Sequence, residues 1–288
     1  MEEVYAIELL LRASRYETTP ENMQVARNIV QILHNFPLAV VQAGAFIYKH
    51  QCLTHYLDMY KTNKTRLLKE RTVQTHGDYA WTVYTTWQIS FNHLTKPAAR
   101  LLQLCSFLHH ESITESMFSN AAICDRTAMG ELLTAEDVND AQEFLAKFMT
   151  PSGIWDQFSF TEVTTELRGY SLIELDLQEE TYFIHPLVQD WTQSSLTDGH
   201  HDWMCIVAII GMSVPWGDQL EDYQFRIQLL PHVDSLLSNP MAKKSALKFQ
   251  LTFGCLYQVG GHPVEAKAHL PNLTFKVDLN QVEVESRV

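Results

Sequence analysis

The chain has 288 residues, of which 46% are apolar and 19% are charged. This composition is typical of a globular protein that buries a core, and it excludes a disordered or fibrous chain. Acidic residues number 34 and basic residues 21, which gives a formal net charge of −13. Because such a charge repels polyphosphates, it argues against a general nucleic-acid binder and against binding to anionic membranes.

Cysteine usage and the first residues indicate a compartment. The five cysteines are widely spaced and never form a C-x-x-C pair, so we expect reduced thiols in the core. Glu2 and Glu3 place acidic charge where a signal peptide has a basic region. The apolar run at residues 203–216 is shorter than the roughly 20 residues that span a bilayer. The sequence therefore predicts a cytoplasmic protein that does not bind a membrane.

The first part of the chain, residues 1–76, is predicted to be a helical domain. Apolar residues at helical spacing over residues 4–14 place a helix almost at the first residue, so we expect a further segment upstream. Thr19 and Pro20 start the next helix, with Thr19 as the N-cap and Pro20 at the first helical position. Pro37 starts a third helix, which is rich in small residues and allows close approach between helices.

Residues 77–198 are predicted to form a winged-helix domain. Residues 173–177 alternate between apolar and acidic side chains, as a strand with one wet face does. An acidic turn, a partner strand over residues 181–184 and a helix opened by Pro186 follow, and helical patterns precede them. The first of these helices has an aromatic stripe at spacings of three, three and four, which indicates a core face: Trp81, Tyr84, Trp87 and Phe91.

The remainder is predicted to be helical except at its end, which we expect to be an irregular tail over residues 271–288. Residues 199–240 have the pattern of a helical spacer. Residues 241–270 match the tetratricopeptide pattern L-G-x2-Y…A once, at Phe253, Gly254, Tyr257 and Ala266. The predicted fold is therefore mainly α: a helical bundle, a winged-helix domain with a small β-hairpin wing, a helical spacer and one incomplete tetratricopeptide-like helix pair.

Three short motifs resemble those of one family, in the order in which the family has them. NFPLA at residues 35–39 resembles the G-L-P-L motif of NB-ARC signalling ATPases. WQISF at residues 87–91, followed by LLQLCSFL, resembles the first helices of their winged-helix domain. IHPLVQ at residues 184–189 resembles their M-H-D position in the form found in fungal NOD-like proteins, which often continue into tetratricopeptide repeats. The resemblance covers roughly residues 4–270.

This resemblance implies two nucleotide contacts. In the family, the proline of G-L-P-L packs near the adenine and the histidine of M-H-D contacts the β-phosphate of ADP, so the matching residues here are Pro37 and His185. The sequence departs from the family at Asn35 and Phe36, which replace Gly and Leu, and at Pro186, which replaces Asp. Taken without the family, Pro37 also fits an ordinary helix start, and His185 also fits a cap at a helix N-terminus.

The catalytic half of the family has no counterpart in this sequence. No G-x-x-x-x-G-K-[ST] is present, although that loop and its lysine provide most of the phosphate affinity and its Ser/Thr holds Mg²⁺. We therefore expect a non-enzymatic fragment of a NOD-like (STAND) signal-transduction regulator. Its intact relatives bind ADP or ATP, whereas we expect no cofactor in this chain. The expected partners are proteins, either a P-loop domain in trans or a second copy of the chain.

Neither a catalytic nor a metal site is indicated by the sequence. His109-His110-Glu111 and His200-His201-Asp202 place adjacent histidines on different sides of a helix, whereas a shared metal ion favours a spacing of four. Cys205 lies four residues after His201, but nothing completes a site. No nucleophile motif of the G-x-S-x-G type is present.

Three other interpretations stay open. A winged helix can bind DNA, but between residues 157 and 199 the one basic residue, Arg168, stands among eight acidic residues, the opposite of what phosphate binding requires. A stand-alone helical scaffold for protein–protein interaction is a second interpretation. A gene-model fragment with no independent function is a third.

Overall fold

The computed structural model describes residues 1–70, 78–124, 135–217, 219–240, 253–254, 256–257, 273–278 and 281–286. Within these residues the first half of the chain is helical: α1 (Glu3–Ser14), α2 (Pro20–Ile32), α3 (Pro37–His50), α4 (Tyr56–Glu70), α5 (Asp78–Phe91), α6 (Lys96–Cys105), α7 (Glu115–Ile123) and α8 (Ala135–Leu145), which ends in a 3-10 turn (Ala146–Phe148). The second half begins with α9 (Gln157–Gly169) and a hairpin, and continues with further helices and a second hairpin: β1 (Glu174–Asp176), β2 (Thr181–Phe183), α10 (Pro186–Ser194), α11 (Gly199–Ser213), α12 (Leu220–Ser238), β3 (Leu273–Asp278) and β4 (Gln281–Ser286).

The fold is mainly α with a small β-hairpin, which confirms the predicted fold class. The second hairpin differs from the irregular tail predicted over residues 271–288. Strands β3 and β4 pair antiparallel, with Leu273 opposite Ser286 and Asp278 opposite Gln281. Apolar and polar residues alternate along both strands in the sequence, as they do in a strand with two different faces.

The contacts within the chain group it into two compact units. The first unit contains residues 1–99 and 162–174, and the second contains residues 100–161 and 175–288. Helices α6 and α9 therefore each contribute residues to both units. The predicted domain boundaries after residues 76 and 198 do not coincide with this division and stay predictions. The predicted tetratricopeptide-like pair lies outside the described residues, except for four positions between 253 and 257.

The first unit is built on the packing of α1 against α2 and α3. Thr19 caps α2 as predicted, because its hydroxyl oxygen accepts a hydrogen bond from the Asn22 N–H at 3.2 Å. The small residues of α3 allow close approach to α1. A Cβ added to Gly44 would lie 2.5 Å from the Ala13 Cβ, so a glycine at this position sets the distance between the two helices.

Helix α5 is buried on more than its aromatic stripe. Trp87 is fully buried, whereas Tyr84 and Phe91 are half-buried, so the core-face prediction is confirmed most clearly at Trp87. The hydroxyl residues of α5 are also buried: Thr82, Thr85, Thr86 and Ser90. The sequence did not predict their burial, since hydroxyl residues on an otherwise apolar helix suggest a wet face.

The second unit has its core around α11, which packs on α7 and α8. Almost every residue of α11 from Trp203 to Ser213 is buried. Aromatic rings from the end of α8 and the start of α9 extend this core, with Phe148 and Phe118 each 5.4 Å from Phe160 between ring centroids. In the part of the chain that is described, no helix combines the length and the apolar character needed to cross a membrane.

Candidate functional site

His185 lies between strand β2 and helix α10, at the N-cap of the helix. Its backbone has φ −57° and ψ 131°, and Pro186 occupies the first helical position. The Nδ1 atom accepts a hydrogen bond from the Leu187 N–H at 3.2 Å. The sequence explains this arrangement, because a proline at the first helical turn needs no N–H acceptor and a side-chain acceptor at the N-cap satisfies the next free N–H.

This hydrogen bond fixes the chemical roles of the two ring nitrogens. An Nδ1 atom that accepts from a backbone N–H carries no proton, so in the neutral ring the proton is on Nε2. The Nε2 atom can then donate to an anionic oxygen, and the structure gives this atom no partner among the described residues. His185 is half-buried. The geometry is compatible with both interpretations of His185, the helix cap and the ligand contact.

The backbone around His185 is tied to the segment that follows α6. The Ile184 N–H donates to the His110 carbonyl at 2.9 Å. Ile113 and Tyr182 form an isolated antiparallel bridge, with N–O distances of 3.1 and 2.7 Å. Strand β2 is thus held by β1 and by this segment, so the position of His185 is defined by backbone hydrogen bonds rather than by side-chain packing alone.

Helix α10 is held against the C-terminal end of α6 by an amide side chain. The Nε2 atom of the buried Gln189 donates to the carbonyl oxygens of Cys105 at 3.2 Å and of Leu108 at 2.9 Å. Gln193, one turn later, donates to the Ser106 carbonyl. The Cys105 carbonyl also accepts the Leu108 N–H at 3.1 Å, so the two glutamines matter most for the Ser106 and Leu108 carbonyls, which follow the end of the helix. The only sequence signal is two glutamines four residues apart on one helix face.

Pro37 occupies the first position of α3 and is exposed. The two residues before Phe36 are His34 and Asn35, and both have a φ of 54°. Asparagine adopts this left-handed conformation more readily than most other residues except glycine. Pro37 belongs to the first unit and His185 to the second. Their predicted roles as nucleotide contacts stay predictions.

The two histidine pairs lie in separate environments. His110 contacts Glu111 at 3.7 Å, whereas His201 contacts Asp140 at 2.8 Å between Nε2 and Oδ2. His200 stacks on Trp203 with ring centroids 6.1 Å apart. Over the residues that the structure describes, no three His, Cys, Asp or Glu side chains converge on a common metal position.

Two clusters of titratable side chains were not predicted from the sequence. In the second unit, His232 of α12 is fully buried, and burial lowers its pKa to about 4. In the first unit, His50 Nε2 lies 2.9 Å from the Tyr170 hydroxyl, and the Lys49 ammonium lies 3.7 Å from the centre of the Tyr170 ring. In the sequence, 120 positions separate His232 from Ser112, whose carbonyl lies 3.1 Å from the imidazole, and 120 positions separate His50 from Tyr170. No local pattern therefore marks either contact.

The comparisons with known proteins assign no activity. Residues 89–201 match the family model described as a domain of unknown function, DUF7779. The matched segment runs from the end of α5 to the start of α11 and includes His185 and Gln189. It covers less than half of the chain. No curated protein matches the chain.

Proposed function

We propose that the chain is a non-catalytic part of a NOD-like (STAND) signal-transduction regulator, derived from a module that clamps ADP. The observation that carries the proposal is the position of His185, at a strand-to-helix junction where Nδ1 is occupied by the Leu187 N–H and Nε2 is left as a donor. A phosphate oxygen is one acceptor to which such an N–H can donate. The motif-like segments at residues 35–39 and 184–189 support the same assignment.

The residues of this chain do not by themselves fit a tightly bound ADP. Phosphate sites of this class use several backbone N–H groups and a lysine, and the loop that supplies them is not in the sequence. One imidazole N–H is a minor part of such a site. We infer that the module is cytoplasmic, performs no catalysis, and responds to nucleotide only together with a P-loop domain. In that assembly it would act as the ligand-biased element of a two-state switch.

Calorimetric titration of the chain with ADP tests this assignment, with His185→Ala and the exposed His55→Ala as a matched control. We expect no heat of binding for any of the three proteins up to about 1 mM ADP. Micromolar binding that His185→Ala abolishes and His55→Ala leaves unchanged would show that the chain is itself a nucleotide sensor. An in-frame G-x-x-x-x-G-K-[ST] in the genomic sequence upstream would support membership of a larger switch protein.

A second candidate function is a helical scaffold that binds other proteins. It is favoured by the exposed apolar side chains of α12, which have no role in a nucleotide contact at His185. DNA binding is the least supported alternative, since Arg168 is the one basic residue among the eight acids of residues 157–199. Salt-dependent binding to duplex DNA would reverse this order.

A further inference from the structure

Helix α12 exposes a stripe of apolar side chains. Leu220, Tyr223 and Ile227 are 65%, 40% and 41% exposed, and their spacings of three and four place them on one helix face. The opposite face is buried at Leu229 and Val233. A helix that is buried on one side and apolar on the other has a second surface available for packing.

The stripe leads into a groove of about 670 Å³, which lies wholly within the second unit. Ile227, Leu230 and Pro231 form its apolar part, and the Asp234 carboxylate, which accepts a hydrogen bond from the Tyr257 hydroxyl, lies at its polar edge. Pro231 has no N–H and cannot donate to the Ile227 carbonyl, so the helix does not supply that oxygen with its usual partner. The groove thus combines apolar surface with the negative charge of Asp234.

Charge along α12 favours a basic occupant. The helix carries three acidic side chains, Glu221, Asp222 and Asp234, and one basic side chain, Arg226. The Arg226 guanidinium donates to the carbonyl oxygens of residues 215 and 217, which lie before the helix. Its charge is therefore directed toward that loop and not toward the groove.

We propose that this surface binds an amphipathic helix of a partner protein, with apolar residues at spacings of three and four and a lysine or arginine that reaches Asp234. The chain's net charge of −13 disfavours a second copy at this surface and attracts a basic partner. Helix-in-groove binding uses the same anchor spacings as Leu220, Tyr223 and Ile227. The inference rests on the scaffold function and does not involve His185, so the outcome of the ADP titration does not affect it.

The probe is a fluorescent peptide of about 18 residues, long enough to hold a helix, made of leucine and lysine in an amphipathic order. A scrambled isomer has the same charge, and an analogue has glutamate in place of lysine. Fluorescence anisotropy with the intact chain at about 0.15 M salt should detect only the first peptide. Ile227→Ser and Asp234→Asn should each weaken its binding about tenfold, whereas Phe158→Ser, at an 85% exposed position away from α12, should not.

Equal binding of the scrambled isomer, or unchanged binding by Ile227→Ser, would overturn the proposal. A dimer in sedimentation velocity that Ile227→Ser dissociates would identify a second copy as the occupant instead. In the Ile227→Cys variant without peptide, the new thiol should react with an alkylating reagent. If it does not react, another segment of the chain covers the groove and the proposal is overturned. Circular dichroism of each variant separates these outcomes from loss of folding.

Discussion

The Nε2 atom of His232 hydrogen-bonds to the Ser112 carbonyl oxygen at 3.1 Å, across 120 residues of sequence. The other ring nitrogen, Nδ1, is buried and has no hydrogen-bond partner among the described residues. Burial is the main reason that the pKa of His232 falls to about 4, and the neighbouring His109 lowers this pKa further, while the Ser112 carbonyl opposes the fall. The fold therefore holds this imidazole in its neutral form.

Stability should decrease as this histidine is protonated. The folded pKa of about 4 lies below the usual 6.5, so the unfolded chain binds the proton more readily between these values. The neutral imidazole's contribution to the free energy of unfolding is complete above pH 6.5. It is lost as pH falls toward 4, to a limit of about 3 kcal/mol. Urea unfolding at a series of pH values measures it, and His232→Gln should flatten the curve in this window.

The control for this series is His55→Gln, because His55 is exposed and should keep the pH dependence of the parent chain. Carboxylates also titrate near pH 4, so the informative quantity is the difference between the parent and each variant. The burial argument would be contradicted if the free energy of unfolding of the parent chain and that of His232→Gln differed by the same amount at every pH from 7 to 4.

Local features of this fold were predictable from sequence, whereas its distant pairings were not. The Thr19 cap and the Pro186 helix start depend on neighbouring residues, and the structure has both. His232 appears in the sequence only as a polar residue between Pro231 and Val233, because its partner is 120 residues away. The same holds for Gln189, whose acceptors at the end of α6 are more than 80 residues distant.

Gly44→Ala should separate α1 from α3, because the added Cβ would lie 2.5 Å from the Ala13 Cβ. We expect a loss of about 1–3 kcal/mol from overpacking, reduced by up to about 1 kcal/mol because alanine favours the helix more than glycine does. Thermal or urea unfolding measures the loss. The double variant Gly44→Ala with Ala13→Gly should recover most of it, since it exchanges the two side chains across the contact. If the stability losses of the two single variants simply add in the double variant, the strain does not arise at the contact between residues 13 and 44.

Gln189→Ala should destabilise the junction of α10 with α6. It removes the donor to the Leu108 carbonyl oxygen and one of two donors to the Cys105 carbonyl oxygen, and a buried acceptor that loses its partner costs about 1–3 kcal/mol. Gln193→Ala removes one hydrogen bond at a half-buried position and should cost less. Hydrogen exchange at the amides of Leu187 and Val188 should accelerate more in the first variant than in the second. Equal effects would mean that α10 is held by apolar packing and not by the amide contacts.

Lys49→Met should raise the pKa of His50. Burial lowers this pKa the most, and the charges of His93 and Lys49 lower it further. Methionine keeps most of the length of the side chain that lies over the Tyr170 ring but removes the positive charge. NMR titration of the imidazole measures the shift, with the exposed Lys147→Met of the second unit as control.

The direction of this pKa change also determines its effect on stability. A histidine whose folded pKa is below 6.5 contributes stability that is complete above that pH and decreases as pH falls. Lys49→Met should therefore reduce the loss of stability between pH 7 and pH 5, even though it removes the cation–π contact with Tyr170. An unchanged or lowered His50 pKa in Lys49→Met would show that the ammonium group does not act on the imidazole, and that burial and the charge of His93 account for the whole effect.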